Sequence, residues 1–346
     1  MFTIIIPTLE RHNVLLRSID YYQHFNCNVF IADASARKIN CEFPDNVIYK
    51  HLPGSSYGKR ILETAKDVTT PYACLGPDDD YFLESGLKAG ARFLDDHLDY
   101  VSVQGIYLGF KLIKNQVVFS PRYSRDASHY AVEAEDSFSR IVRAFNPHMH
   151  QLYSIHRTDL LIKSLQLSAN ISNPQIVEYT QPLVPMCYGK HKVLPILWMA
   201  RDMYTFDPVR RQRNLTEKLK VGSVTSHYRR YNQVVNKIED FLDSEECGLV
   251  KKKFRGVISK LVKDNKESDK LFRAAFNSLI KDYISSRNRV IIKKIIKSFA
   301  PTWVLNYYIN SRTLQHMSGI ETTSSTEDAL NKIRLSVLTF RKCYDR

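Results

Sequence analysis

Three consecutive aspartates, Asp78, Asp79 and Asp80, are the residues of this chain whose type and spacing best suit chemistry. They follow a short apolar run at 72–75 that predicts a buried strand, and a Gly-Pro pair ends that strand. Adjacent carboxylates repel one another, and a divalent cation would remove that cost. In extended backbone Asp78 and Asp80 point the same way, so we expect them to share one Mn²⁺ or Mg²⁺ ion.

A second interpretation of the aspartates involves no chemistry. Aspartate is favoured at helix N-caps, and the pattern predicts a helix that begins near Leu83. A solvated acidic turn that caps this helix would have the same sequence. The choice between a metal site and a helix cap therefore depends on the elements around the turn.

The first 90 residues predict an α/β domain with a parallel sheet. Apolar runs predict strands at 2–6, 28–32, 47–50 and 72–75, and helical spacing predicts helices at 12–25 and 59–68. In open parallel sheets, ligands bind at the carboxyl ends of the strands. The loop that starts at Thr8, the strand end at Asp33 and the aspartate turn all follow such ends, so we expect them to converge.

The pattern beyond residue 100 is less regular. It predicts strands at 100–105, 117–119, 152–155 and 192–199, with a hairpin around 114–115. It also predicts helices at 137–145, after Thr158 as the N-cap, and at 176–186. Beyond about residue 208 the sequence is almost wholly helical in pattern and rich in lysine. We therefore predict an α/β domain over 1–207 and a basic helical region over 208–346 that contacts a substrate, a membrane or another subunit.

The composition predicts a folded protein of the cytoplasm. Six scattered cysteines without a CxxC pair indicate a reducing compartment, and no apolar run reaches the roughly 18 residues of a membrane span. The net charge of +14 comes mostly from the region beyond 208 and suggests an anionic partner, either a phospholipid surface or nucleic acid. Since no helix-turn-helix, RRM or KH pattern is present, nucleic acid is not the expected partner.

Over residues 1–90, and more weakly to 205, the chain resembles glycosyltransferase family 2, whose members have the GT-A fold. The matching residues are Ile4-Ile5-Ile6-Pro7-Thr8, Ile31-Ala32-Asp33-Ala34-Ser35 and Leu75-Gly76-Pro77-Asp78-Asp79-Asp80, in that order. The resemblance implies a Rossmann-like, mostly parallel sheet and a metal-dependent, inverting, hexosyltransferase-like enzyme. Such an enzyme moves a sugar from a nucleotide-sugar donor, expected here to be a UDP-sugar, to a glycan or lipid-linked acceptor in surface polysaccharide biosynthesis.

The resemblance also implies a nucleotide pocket at the first two strand ends. Asp33 would hydrogen-bond the nucleobase or the ribose, and Pro7 and Thr8 would shape the wall of the pocket. Glu10 and Arg11, in the same first loop, could contact the nucleotide.

Phosphate and metal contacts are implied by the next two elements. Lys59 or Arg60, at the start of the predicted helix, could pair with a phosphate. Asp78 and Asp79 would lie beside the donor, while Asp78 and Asp80 would hold the metal, with Asp80 the most direct ligand. Arg201-Asp202 and the basic cluster at 210–213 could close over the diphosphate as a mobile loop.

An inverting enzyme also needs a carboxylate that deprotonates the acceptor hydroxyl. Family members supply it from a Glu-Asp pair near a helix start, and this chain departs from that pattern. Glu178 comes at the expected point but is followed by Tyr179, whereas Glu135-Asp136 is a literal pair that precedes the predicted 152–155 strand. We expect Glu178 to be the base, with Asp136 as the second candidate.

Two other functions stay open at this point. A sugar nucleotidyltransferase would need a glycine-rich phosphate loop after the first strand, and residues 8–12 contain no glycine. A non-catalytic basic module would bind nucleic acid or lipid through the C-terminal region. There, residues 287–308 combine an isoleucine stripe with basic and aromatic residues, which is typical of peripheral contact with the inner face of a membrane or of a helix docked on the protein itself. An oligomer is also compatible with this composition.

Overall fold

The structure is a computed structural model that describes residues 1–113, 116–121, 129–145, 149–170, 174–203, 320 and 324–344. These residues belong to one compact unit. The predicted domain boundary at 207/208, the basic cluster at 210–213 and the segment at 287–308 lie outside the described residues, and the predictions made for them stay predictions.

The described residues form ten strands and seven helices. The strands are β1 Phe2–Thr8, β2 Asn28–Asp33, β3 Val47–His51, β4 Tyr72–Leu75, β5 Tyr81–Phe82, β6 Tyr100–Ile113, β7 Gln116–Pro121, β8 Ala131–Val132, β9 Ile155–Arg157 and β10 Lys190–Asp202. The helices are α1 His12–Tyr22, α2 Tyr57–Ala65, α3 Glu84–Asp96, α4 Ser137–Phe145, α5 Thr158–Ser168, α6 Pro174–Tyr188 and α7 Ser324–Tyr344.

All ten strands join one sheet in the order β3-β2-β1-β4-β9-β6-β10-β5, with β7 on β6 and β8 on β10. The strands β3, β2, β1 and β4 are parallel, and β6 and β10 form a second parallel pair. The short strand β9 lies antiparallel between β4 and β6 and joins the two parallel parts. The predicted α/β class is confirmed.

The central strand β1 is buried on both faces. Ile4 and Ile6 enter one apolar cluster, with side chains of α1 and α3, while Ile5 enters a second cluster with side chains of α2 and α5. Successive side chains of a strand point to opposite faces, so helices cover both sides of the sheet. This explains why three consecutive apolar residues, Ile4 to Ile6, form the centre of β1 instead of an alternating pattern.

Two predictions for the middle of the chain are wrong in detail. The strand predicted at 152–155 is β9, which begins only at Ile155, because Gln151 to Ser154 form a turn closed by a backbone hydrogen bond of 3.0 Å. Thr158 does not cap α5 but is its first residue, and its hydroxyl donates to the carbonyl oxygen of Thr70 at 2.7 Å. The hairpin predicted at 114–115 is confirmed by the antiparallel pairing of β6 with β7.

Two histidines lie in the middle of the sheet without access to water. His156 of β9 and His191 of β10 are both fully buried, on either side of Ser102 in β6. His191 Nδ1 lies 2.8 Å from the Ser102 hydroxyl, whereas its Nε2 and both ring nitrogens of His156 have no hydrogen-bond partner. Burial lowers the pKa of each ring to about 3, so both are neutral at ordinary pH.

Among the helices that the structure describes, none is both long enough and apolar enough to cross a lipid bilayer.

Candidate functional site

The structure brings the predicted strand ends together at one edge of the sheet. Thr8, the last residue of β1, donates from its hydroxyl to Asp78 Oδ2 at 2.8 Å, and its carbonyl oxygen accepts from the amide of Ala34 at 3.2 Å. The half-buried Pro7 pairs with Ala32 of β2. The ends of β1, β2 and β4 therefore meet in direct contact at the edge where ligands bind in such sheets.

Arginines neutralise the aspartate turn. Arg11 Nη1 lies 2.6 Å from Asp78 Oδ1, and Arg11 Nη2 lies 2.8 Å from Asp79 Oδ2. One guanidinium group thus bridges two of the three carboxylates. The repulsion from which the sequence analysis inferred a metal ion is already relieved by these charge-assisted hydrogen bonds.

The third carboxylate is held from the opposite side. Asp80 Oδ2 accepts from Arg201 Nε at 2.9 Å, and Asp80 Oδ1 accepts from the backbone amide of Asp202 at 2.7 Å. Arg201 and Asp202 lie in β10, so the prediction that they form a mobile loop is wrong. Burial raises the pKa of Asp80 above its ordinary value, and the positive charge of Arg201 limits that rise.

The three carboxylates differ in accessibility. The side chain of Asp79 is 20% exposed, that of Asp78 is 7% exposed and that of Asp80 is 2% exposed. Asp80, expected to be the most direct metal ligand, is therefore the least accessible of the three. In the described part of the chain, no three His, Cys, Asp or Glu side chains are grouped as a metal site would require.

The turn does not cap a helix. The helix after it, α3, begins at Glu84 with Leu83 in the N-cap position, and no side chain makes a capping hydrogen bond there. The strand β5 lies between the aspartates and α3. The alternative interpretation of the turn as a helix cap is therefore wrong.

Helix α1 supports the backbone of the turn, which the sequence analysis did not foresee. Three of its side chains donate hydrogen bonds to three successive carbonyl oxygens. They are Ser18 Oγ to Asp78 at 2.6 Å, Arg17 Nη2 to Asp79 at 2.7 Å and the Tyr22 hydroxyl to Asp80 at 3.3 Å. The Tyr22 hydroxyl also accepts from the amide of Phe82 at 2.9 Å. A rigid helix thus fixes the path of the chain as it leaves β4.

A polar pocket surrounds Asp33 at the end of β2. Asp33 Oδ2 accepts from the Tyr49 hydroxyl at 2.6 Å and lies 2.9 Å from His12 Nε2, while Oδ1 accepts from the amide of Ser35 at 2.8 Å. Burial by itself raises the pKa of Asp33, but the hydrogen bonds from Ser35, Tyr49 and His12 outweigh it and lower the pKa. The Asp33 side chain is fully buried and that of His12 is 27% exposed, so His12 forms the accessible surface of this pocket.

Glu10 fastens the first loop to the second. Its backbone has a φ of 53°, in the left-handed region that non-glycine residues adopt at a cost. Its amide donates to Ser35 Oγ at 2.7 Å, and its Oε1 accepts from the amide of Ala36 at 2.6 Å. These bonds hold the strained conformation, and they place Glu10 in the wall of the pocket rather than inside it.

The two predicted phosphate-binding residues of α2 have different environments. Lys59 is exposed, whereas Arg60 is 7% exposed and lies 5.4 Å from the ring centroid of Tyr57. Arg60 Nε has no hydrogen-bond partner, and Nη1 reaches only the carbonyl oxygen of Ser55 at 3.5 Å.

Arg60 also belongs to the electrostatics of the site. Burial lowers its pKa, and the nearby charges of Asp78 and Asp33 oppose that effect. No carboxylate of the described residues forms an ion pair with its guanidinium group. A buried cation that has no ion pair with a described carboxylate and interacts with the charges of both Asp33 and Asp78 is suited to an anionic ligand.

The two candidate bases lie at the starts of different helices. Asp136 precedes α4, and its Oδ1 accepts from the amide of Ser139 at 2.9 Å, which makes it the cap of that helix. Hydrogen bonds from Ser139 lower the pKa of Asp136, as expected of a cap rather than a base. Glu178 lies near the start of α6, and its side chain is outside the described residues.

The end of α5, the helix that precedes α6, lies at the site edge. Helix α5 begins beside Thr70, at the opposite edge of the sheet, and ends at Ser168. A methyl group added to Gly58, at the start of α2, would lie 2.8 Å from the carbonyl oxygen of Ser168. Because α2 follows the carboxyl end of β3, the chain that enters α6 starts from the same edge as Asp33 and Asp78.

No protein-family model matches the chain, and no curated protein matches it by sequence. Solved structures resemble it in part. A crystal structure of S. aureus TarS 1–349 is similar with a TM-score of 0.47 at 13% identity, over 73% of this chain and 70% of that one. The complex of TarS 1–349 with UDP has a TM-score of 0.45 at 15% identity over the same shares, and the complex with UDP-GlcNAc has 0.40 at 15% over 58% of each chain. All three TM-scores lie below 0.5, and the function proposed next rests on the residues of the site itself.

Proposed function

We propose that this chain is a nucleotide-sugar-dependent glycosyltransferase of the GT-A type. The observation that carries the proposal is Arg60, a buried guanidinium that has no ion pair with any described carboxylate and lies within electrostatic reach of Asp33 and Asp78. A diphosphate would satisfy it with bidentate hydrogen bonds. A nucleotide sugar has the matching order of parts, since its diphosphate joins a nucleoside to a sugar.

The Asp33 pocket supports a nucleoside as the part that binds beside β2. His12 and Tyr49 are held by Asp33, and the Tyr49 ring stacks on Phe43 with centroids 4.7 Å apart. This aromatic and polar surface suits a base and a ribose, and the donor we propose is a UDP-sugar. Asp33 would act mainly by orienting His12 and Tyr49, because its own oxygens already accept three hydrogen bonds.

A divalent cation, Mn²⁺ or Mg²⁺, is part of the proposal. Arg11 and Arg201 are already paired with the aspartates, so an entering diphosphate brings negative charge that these arginines do not offset. A carboxylate oxygen has two lone pairs, and Mg²⁺ commonly takes one or two carboxylates together with phosphate oxygens and water. Asp78 and Asp80 would hold the ion, which when bound supplies Lewis-acid stabilisation of the leaving diphosphate.

Transfer would proceed with inversion. Glu178 accepts the proton of the acceptor hydroxyl, the hydroxyl oxygen attacks the anomeric carbon, and the bond to the diphosphate breaks with its electron pair on the diphosphate. The end of α5 at the site edge, six residues before the start of α6, supports this role. A glycan or lipid-linked acceptor of a surface polysaccharide, reached from the cytoplasmic face of the membrane, completes the proposal, and self-association is compatible with it.

The test is donor binding and turnover by the purified full-length chain. UDP and UDP-GlcNAc, which TarS structures contain, are the first probes, with GDP, TDP and CMP for comparison. We expect UDP to raise the melting temperature, and donor hydrolysis to require Mn²⁺ or Mg²⁺ and to stop in EDTA. Consumption of a nucleoside triphosphate and a sugar phosphate would instead show a nucleotidyltransferase. Binding of RNA or anionic liposomes without any nucleotide binding would show a non-catalytic basic module.

A further inference from the structure

The C-terminal helix α7 packs on the sheet domain beside the aspartate turn. Ile333 and Val337 are fully buried in the same apolar cluster as the side chains of α1 and α3. The guanidinium carbon of Arg334 lies 5.2 Å from the ring centroid of Phe119 in β7. These contacts anchor α7 independently of the site.

One side of α7 reaches the residues that hold the turn. Ser336 Oγ lies 3.0 Å from the hydroxyl of Tyr81, the residue that directly follows Asp80. The ring of Phe340, one helical turn further on, has its centroid 5.2 Å from the guanidinium carbon of Arg17. The centroid of the Tyr81 ring lies 5.1 Å from the same carbon. The guanidinium group of Arg17 is therefore within cation–π distance of one ring from α7 and one ring from β5.

Arg17 is the link between α7 and the turn. Its Nη2 donates to the carbonyl oxygen of Asp79 at 2.7 Å, and the residue is only 4% exposed. A hydrogen bond from a guanidinium group is stronger where water is excluded. Phe340 is part of what excludes water from Arg17, and Ser336 fixes the hydroxyl end of Tyr81.

We infer that α7 is a positioning element of the active site, and that Ser336 and Phe340 are positioning residues that act on the aspartate turn through Tyr81 and Arg17. Neither residue contacts substrate in this proposal, which rests on the proposed function for its catalytic consequence. The structural part, that α7 restrains the backbone of residues 76–82, stands without it.

The test compares Phe340→Leu and Ser336→Ala with a matched control on the same helix, Leu335→Ala. Leu335 is 65% exposed, so its truncation perturbs α7 without touching Tyr81 or Arg17. Phe340→Leu keeps an apolar side chain but removes the ring, and Phe340→Tyr restores a ring. All measurements are made where each variant is fully folded by its melting curve.

The first readout is hydrogen exchange of the backbone amides of Gly76 and residues 78–82, which needs no activity. We expect exchange about three- to tenfold faster in Phe340→Leu and Ser336→Ala, as one lost interaction allows, with Leu335→Ala and Phe340→Tyr like the wild type. The second readout is donor turnover, where kcat should fall by a similar factor and the donor KM should change by less than about twofold.

Each result has a distinct meaning. Unchanged exchange in both variants overturns the inference. Faster exchange with an unchanged kcat supports the restraint of the turn and overturns its catalytic consequence. If the wild type turns over no donor, the proposed function fails, and exchange alone then decides whether α7 restrains the turn.

Discussion

Replacing Arg60 by methionine should separate ligand binding from folding. Methionine has a similar length and can fill the same buried space, but it carries no charge. The change removes a buried Nε without a partner, a defect that costs about 1–3 kcal/mol, and it also removes the contact with the Tyr57 ring, worth about 0.5–2 kcal/mol. The two effects oppose each other, so we expect a free energy of unfolding no more than about 1 kcal/mol below that of the wild type.

The affinity for UDP, unlike the stability, should decrease strongly in Arg60→Met. A hydrogen bond to a charged group contributes about 1.5–3 kcal/mol, so the variant should bind UDP about 10- to 150-fold more weakly. Isothermal titration with UDP gives the affinity, and urea unfolding gives the stability. Lys59→Met is the matched control, because Lys59 is the exposed neighbour on the same helix.

Two results would contradict this prediction. If Arg60→Met binds UDP like the wild type and loses several kcal/mol of stability, Arg60 is a structural residue. An equal loss of binding in Lys59→Met would show that the charge of the helix start matters rather than the buried guanidinium group.

Three further predictions address the remaining groups. Asp80→Asn should fold and lose about 10- to 100-fold in activity, whereas wild-type turnover in EDTA by this variant would remove the metal role. Glu178→Gln should keep its affinity for UDP and lose at least about 100-fold in kcat. Asp136→Asn should keep activity, since asparagine also caps a helix. The reverse pattern would make Asp136 the catalytic base instead of Glu178. Between pH 6.5 and about 3 the unfolded chain binds a proton at His156 that the folded chain does not. As the pH falls through this range, the free energy of unfolding of the wild type, measured with urea, should therefore decrease by up to about 1.4 kcal/mol per pH unit more than that of His156→Leu. Equal decreases in the two proteins would contradict the burial effect.

The strand ends of the site could be predicted because local sequence determines them. The apolar run of β4 matches the structure from Tyr72 to Leu75, and the turn that holds Asp78 follows it directly. The position of Asp33 at the end of β2 follows from the same kind of pattern. The edge on which these residues meet then follows from the rule for parallel sheets.

The partners of the turn could not be predicted in this way. Arg201 contacts Asp80 across 121 residues of sequence, and no local pattern reports such a pairing. Ser18 and Tyr22 occupy polar and aromatic positions that occur on many amphipathic helices, so their bonds to the turn depend on how α1 packs. The three-residue strand β9 is too short for periodicity to define its bounds.

Charge repulsion among the aspartates does not by itself predict a metal ion, because a distant arginine can offset the same charge. The aspartates repel one another, but Arg11, which is 67 residues from Asp78 in the sequence, already offsets this repulsion in the fold. Sequence reasoning identified Arg11 as a nucleotide contact and did not connect it with the turn. A cation is therefore proposed here for the incoming diphosphate and not for the aspartates by themselves.

The contact between Tyr81 and Ser336 has a consequence for the order in which the protein matures. The two residues are separated by 255 positions, and at about 5–20 residues per second α7 is synthesised roughly 10–50 s after the turn. During that interval the parallel strands β1 to β4 can fold, while Arg17 and Tyr81 still lack the cover that α7 provides. A nascent chain with a finished Asp33 pocket thus precedes one with a finished turn. Under the proposed function, donor binding should become possible on the ribosome before donor turnover does.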